Sequence, residues 1–272
     1  MKSIQNYIYT FKKGAGQPHV YAKDLATIQI PCPPDEVQQK VVEECEAIDK
    51  EYNNSRMEIE MYREKINEIF ANLEKVDMGR EKKLKELCNI EGGKRIPKGR
   101  GFSNQPTQHP YIRVTDFSRG TINMKDLKYI DDDVYKCISR YTISSDDIYL
   151  SIAGTIGVVG TIPSELNGAN LTENAAKLVI KNKEEVAAKF LVYALQTKSA
   201  KEQIDSYTHA VGVPKLALER IREIKVYIPT IAKQNSIVYQ VNTYEQAIEK
   251  AQAVMDGCAT RIQAVLDKYL QP

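Results

Sequence analysis

Apolar and polar residues alternate along this chain in two different rhythms. From Val41 onward, apolar or small residues fall at Val41, Cys45, Ile48, Tyr52, Ser55, Ile59, Tyr62, Ile66, Ile69 and Leu73, in unbroken steps of four and three. Helical side chains spaced this way share one face, so the rhythm is a heptad seam. The same steps recur at Ile237, Val241, Tyr244, Ile248, Ala251, Met255, Cys258, Ile262, Val265 and Tyr269, each 196 residues after its counterpart. The spacing predicts two long helices, over about 37–74 and about 233–270, each near 57 Å at roughly 1.5 Å per residue. Neither seam is stable in water, and packing one on the other buries both. If a compact domain sits at one end of the first helix, the second runs back antiparallel to it. Tyr and Cys at seam positions read as core filler rather than reactive groups.

Between the helices the rhythm shortens. YIRVTDF (111–117), DIYLSIAGTIGVVGTIP (147–163) and AAKLVIKN (175–182) read as strands, with turns at Ser118-Arg119-Gly120, Gly154 and Gly160. A helix over about 185–206 follows them. The expected class is therefore α+β: one mixed α/β domain plus two long helices forming an antiparallel coiled coil. Its strands are too few and too irregular for a doubly wound nucleotide fold.

The offset of 196 also extends upstream of the helices. Lys2-Ser3 falls on Lys198-Ser199, Gly16-Gln17-Pro18 on Gly212-Val213-Pro214, Pro33 on Pro229 and Gln38 on Gln234. Thus IPCPPDEVQQKVV, starting at Ile30, and YIPTIAKQNSIV, starting at Tyr227, are matched strand-to-helix junctions. Four segments are expected: 1–34 as the remnant of a preceding domain, 35–78 as the first helix, 79–230 as a complete domain, and 231–272 as the second helix.

Composition adds a charge map. The 272 residues are 42% apolar and carry a formal net charge of only +2, but residues 80–225 hold 24 Lys and Arg against 18 Asp and Glu, and residues 35–78 hold 6 against 13. A basic globule is expected on an acidic helix, which suits a polyanionic partner for the globule. No apolar run reaches the roughly 18 residues of a membrane span, and the start has no secretory apolar region, so a cytoplasmic protein is expected. Five cysteines without a C-x-x-C pair argue against a disulfide framework or a zinc site.

Candidate chemistry follows the positive charge. Lys94, Arg95, Lys98 and Arg100 sit in the Gly- and Pro-containing stretch GGKRIPKGRG, suited to phosphates. These four, with Arg113 and Arg119, are the candidates for backbone or guanine contacts. Ser151, Thr155, Asn170, Thr172, Asn174 and Lys177, in SIAGTIG and NGANLTENAAK, are candidates for base edges or backbone, since Asn pairs with adenine and Arg with guanine. No phosphate-loop, HExxH or amino-methyltransferase tetrapeptide is present, and His19, His109 and His209 stand far apart. No catalytic residue and no metal ligand is expected. The competing readings are a coiled-coil protein-interaction module without DNA readout, and a metal-dependent nuclease with a dispersed site.

The stretches GGKRIPKG, YIRVTDFSRGTI and LSIAGTIGVVG, with the two junctions, resemble the specificity subunits of type I restriction-modification systems. The junctions depart from the usual Glu-Gln, having Val37-Gln38 and Lys233-Gln234. The resemblance implies a target-recognition domain that reads half of a bipartite site in double-stranded DNA, and helices that act as a spacer and offer surfaces to DNA adenine methyltransferase subunits. It implies S-adenosylmethionine, ATP and Mg²⁺ on partner subunits rather than here, with a restriction subunit as a further partner. It also implies either a homodimer or a piece of a longer subunit.

Overall fold

A computed structural model describes residues 8–9, 11, 20–28, 32–75, 79–118, 120–208 and 214–270. A short helical turn, Ala22–Leu25, precedes the long helix α1 (Asp35–Lys75). Then come β1 (Gly79–Lys83), α2 (Leu84–Leu87), β2 (Cys88–Gly92), β3 (Pro110–Ile112), β4 (Phe117–Ser118), β5 (Thr121–Ile122), β6 (Lys128–Tyr129), α3 (Asp132–Ile138), β7 (Thr142–Ile143), β8 (Ile148–Ser151) and β9 (Val159–Thr161). They are followed by β10 (Ala169–Leu171), β11 (Ala175–Ile180), α4 (Ala188–Gln196), α5 (Lys198–Thr208), α6 (Leu218–Glu223), β12 (Lys225–Pro229) and the second long helix, α7 (Ile231–Leu270). The chain forms two compact units, one from the residues up to Arg63 with those from Tyr244 on, the other from Glu64 to Thr243.

The first unit is an antiparallel helix pair. Ile48, Cys258 and Val265 form its buried centre, flanked by Val41, Cys45, Ile262 and Tyr269. The direction is fixed by cross-links at successive levels: Lys268 donates to Glu44 at 2.8 Å, Arg261 to Glu51 at 3.0 Å, and the rings of Tyr62 and Tyr244 lie 5.3 Å apart. Ser55, Ile59 and Ala251 are buried, and Ile248 and Met255 half-buried, as the four-three rhythm requires. Tyr52 departs from it at 39% exposed, which an amphipathic ring with a polar tip tolerates. Placing Glu at both Ile59 and Met255 buries charge without a partner. The double variant is expected to melt roughly 10 °C lower, for a loss of about 3 kcal/mol. Unaltered melting and light scattering would refute the seam.

In the second unit the seam residues Ile66, Ile69, Leu73, Ile237 and Val241 join the core of the mixed domain, where Phe70 meets Phe190 at 5.5 Å. One antiparallel sheet runs β2-β11-β8-β9, and a second, β6-β3-β10-β7, has β10 parallel to β3 and antiparallel to β7. The central strand β8, Ile-Tyr-Leu-Ser, is buried at every position, which is why three apolar residues stand in succession and the serine that ends it is hydrogen-bonded. Strand β1 pairs antiparallel with β12 over five residues, from Gly79 opposite Pro229 to Lys83 opposite Lys225, so the strands that open and close the domain lie side by side.

Three local expectations change. The helix over 185–206 is two helices, broken at Thr197, whose ψ is 159°. The Thr197 hydroxyl donates to the Ala194 carbonyl at 2.7 Å and accepts from Ala200 N–H at 3.4 Å, capping the end of α4 and the start of α5. Gly160 is no turn: it lies within β9, where a Cβ would stand 2.3 Å from the Gly120 carbonyl oxygen. The strand expected over 111–117 is interrupted by a 3-10 turn at Val114–Asp116 and resumes as β4, which pairs with β5.

The repeat has a structural signature at the helix starts. Gln234 Nε2 donates to the Pro229 carbonyl at 2.8 Å, and Gln38 Nε2 donates to the Pro33 carbonyl at 2.8 Å. The copies differ in burial. Gln234 is fully buried and also bonds Ala187 N–H and the Glu185 carbonyl, whereas Gln38 is exposed.

Glu223 receives hydrogen bonds from Lys83 at 2.6 Å and Lys85 at 2.8 Å, which hold its carboxyl at about 2 against an ordinary 4.5. A depressed folded pKa gives stability that is present above the ordinary value and lost as pH falls through the folded one. Glu223→Gln is therefore expected to flatten the stability profile between about pH 4.5 and about pH 2, as read by denaturation at stepped pH.

Candidate nucleic-acid interface

Strand β2 ends at Gly92, and the glycine that follows it, Gly93, is required by space. The Gly93 N–H bonds the Ala175 carbonyl at 3.0 Å and the Lys94 N–H bonds the Leu171 carbonyl at 2.8 Å, so the backbone crosses from one sheet to the other. A Cβ on Gly93 would lie 2.1 Å from the Thr172 carbonyl oxygen. The chain then turns at Pro97-Lys98-Gly99-Arg100, where Arg100 N–H bonds the Pro97 carbonyl at 3.0 Å and Gly99 takes φ of 84°. Tyr111 anchors the base of this loop by donating to the Lys94 carbonyl at 2.8 Å, and burial pushes its phenol up to about 12.

This path leaves Lys94, Arg95, Lys98 and Arg100 exposed. Lys94 lies 5.5 Å over the Tyr141 ring, Arg100 is 4.0 Å from Asp133, and Arg95 Nε donates to Glu173 at 2.6 Å. Burial pushes the Glu173 carboxyl up, but the bonds from Arg95 and Thr172 outweigh it and hold the group below its usual range.

Two more loops share this end of the domain. The β8–β9 turn is stapled by Ser151, whose hydroxyl donates to the Thr155 carbonyl at 2.6 Å and accepts from Val158 N–H at 2.8 Å. The Asn174 carbonyl accepts from Ile152 N–H at 2.8 Å, joining the β10–β11 turn to the same strand end. Residue 215 pairs with Ala153 in an antiparallel bridge, and Leu216 N–H bonds the Ile152 carbonyl at 2.9 Å. Exposed Lys215 thus joins exposed Thr155 and half-buried Asn174 beside the basic loop.

The other candidates are placed differently. Arg113 is committed inside the domain: Nη2 donates to Asp116 Oδ1 at 2.6 Å and to the Asp126 carbonyl at 2.8 Å, and Nε to Asp116 Oδ2 at 3.1 Å. Lys177 is 14% exposed, donating to the Thr142 carbonyl at 2.8 Å and lying 3.2 Å from Glu91. Ser151 and Asn170 are fully buried, and Thr172 nearly so. Asn170 donates to the Ile138 carbonyl at 2.9 Å, and Thr172 to Glu173 at 3.0 Å. Ser151, Asn170 and Lys177 thus bond backbone carbonyls and Arg113 and Thr172 carboxylates, while Asn170 Oδ1 is buried without a hydrogen-bond partner among the described residues. Arg119 lies outside the described residues. His109 stacks on Tyr135 at 3.9 Å and meets Asp132 at 2.8 Å. Among the described residues no group of His, Cys, Asp and Glu is placed to hold a metal, and no helix is long and apolar enough to cross a membrane.

Sequence reading missed Lys215 and Glu173. Lys215 follows Gly212-Val213-Pro214, a tripeptide the repeat already marked, and Glu173 stands among the amides and hydroxyls that drew attention instead.

The sequence profile of the type I restriction modification DNA specificity domain matches residues 1–61 and 77–253. The chain belongs to this family. It is 21% identical over 271 residues to the type I restriction enzyme MjaVIII specificity subunit of Methanocaldococcus jannaschii, covering 92% of this chain and 63% of that subunit. To the EcoBI specificity subunit of Escherichia coli it is 25% identical over 142 residues, 51% of this chain and 30% of that one. The chain therefore spans less than two thirds of either relative. The fold of the specificity domain agrees with solved structures. An S subunit of a type I system from M. genitalium superposes with TM-score 0.54 at 20% identity, over 100% of this chain and 71% of that one. A structure on complex assembly and conformational transition of a type I system gives TM-score 0.61 at 18% identity, over 98% and 68%.

Proposed function

We propose that this chain is the non-catalytic DNA-reading component of a type I restriction-modification complex, acting in the cytoplasm. The observation that carries the reading is the convergence of Lys94, Arg95, Lys98, Arg100 and Lys215 on adjacent loops at one end of a specificity domain. The lysines on these loops supply phosphate contacts that fix register, while Arg95, Thr155 and Asn174 offer polar groups to base edges. The helix pair acts as spacer and as the surface for DNA methyltransferase subunits. Those subunits hold S-adenosylmethionine and flip the target base, and a restriction subunit supplies ATP- and Mg²⁺-dependent steps. One reading domain covers one half-site, and a second copy of this chain or a longer subunit supplies the other. Measuring mass in solution with and without a methyltransferase subunit separates these arrangements.

Replacing Arg95 and Lys98 together by Ala is expected to weaken duplex binding across all sequences. It should also reduce the slope of log affinity against log salt by about 1 or more. Unchanged affinity would remove the basic loop from the interface. Failure of the full chain to bind any duplex at low salt, with or without methyltransferase, would favour a protein-interaction module instead.

A further inference from the structure

Arg95 differs from its neighbours in being held by one end. Its Nε donates to Glu173, the side chain is 77% exposed, and Nη1 and Nη2 have no hydrogen-bond partner among the described residues. The anchor is itself fixed. Glu173 is 23% exposed, its second oxygen accepts from Thr172 Oγ1 at 3.0 Å, and Thr172 N–H bonds the Ile112 carbonyl at 3.0 Å. The guanidinium is thus carried on a carboxylate tied to the end of the sheet that contains β3 and β10.

Two physical consequences follow from that tether. A carboxylate in contact cancels the net charge of the guanidinium, so the pair attracts a polyanionic backbone weakly. What remains is geometry. With Nε engaged, the terminal edge presents two parallel N–H donors in a plane whose torsional freedom is restricted, and such a fork fits the O6 and N7 acceptors of guanine. Lys98 lies in the same loop and carries a point charge, which suits phosphate.

We infer that Arg95 is a specificity-determining residue that reads one guanine in the major groove, and that Glu173 is the positioning residue that aims it. The assignment rests on the DNA-reading function proposed above, and the experiment separates the two. The full-length wild-type chain is used to select duplexes from a random pool. Each guanine of the selected site is then replaced in turn by 7-deazaguanine, which lacks the N7 acceptor. At one position the replacement is expected to weaken wild-type binding roughly fivefold to a hundredfold, the range of one bidentate base contact. Arg95→Lys, which keeps the charge and loses the planar fork, should shrink that penalty at the one position and leave the penalties at other guanines unchanged. Glu173→Gln should shrink the same penalty and steepen the salt dependence, because it frees a positive charge. Loss of affinity by Arg95→Lys equally on all sequences would show a phosphate contact and overturn the assignment. So would a selected site whose guanine penalties all survive both variants, or one with no such penalty. A wild-type chain that selects no sequence removes the DNA-reading function itself, and this inference with it.

Discussion

Gln234→Leu is expected to lower unfolding free energy by about 4 kcal/mol. The side chain is fully buried and makes three hydrogen bonds, accepting from Ala187 N–H at 2.9 Å and donating to the Glu185 and Pro229 carbonyls at 2.8 Å each. Leucine matches the volume and satisfies none of these groups. Each buried backbone group left unpaired costs roughly 1–3 kcal/mol. The Glu185 bond and the Ala187 bond reach the segment leading into α4, so the loss also loosens the packing of that helix on the start of α7. Chemical denaturation checks the figure. Gln38→Leu is the control: the same residue type makes the equivalent Pro33 bond on an exposed helix start, and its loss should cost about 1 kcal/mol or less. Equal losses for both variants would mean that burial is not what gives Gln234 its importance.

Arg113→Ala is expected to cost about 3 kcal/mol of stability while leaving DNA affinity per folded molecule nearly unchanged. Its partner Asp116 is 3% exposed and would be left as a buried carboxylate, retaining its bond from the residue 113 N–H at 2.7 Å. That retained bond places the expected loss at the low end for breaking a buried ion pair, roughly 3–5 kcal/mol. The 3-10 turn at Val114–Asp116, which the ion pair spans, should loosen with it. A thermal melt together with a binding isotherm separates the two effects. Intact stability with weakened duplex binding would return Arg113 to the interface.

The contrast between Arg113 and Arg95 shows where residue type stops being informative. Both are arginines in polar stretches near glycines, and composition treats them alike. The Arg-Val-Thr-Asp spacing at 113–116 did contain a signal, because residues three apart in a tight turn reach each other, and Asp116 takes up the guanidinium. Ser151 and Asn170 were attractive for their short polar groups, yet those groups serve buried backbone, a demand invisible until the chain's path is known. The helices were legible because ten successive seam positions repeat one rhythm twice, and a pattern that long outweighs local propensity. The sheets were less so. β10 has three residues, β7 has two, and their partners lie dozens of positions away, so no local period records the pairing.

The ladder between β1 and β12 has a consequence for how such a chain changes over generations. Gly79 and Pro229 face each other across one antiparallel pair, so a domain of about 150 residues begins and ends at neighbouring points. Exchange of everything between those points would meet structural demands at the seam: the incoming first and last strands must pair in the same register, and the new core must accept Phe70, Ile237 and Gln234 of the retained helices. A Cβ at Gly79 would stand 2.5 Å from the Ile228 carbonyl oxygen, so the glycine is part of the first demand. The two ends of the domain are thereby held to each other by a backbone ladder whose register depends little on the identity of the side chains between them.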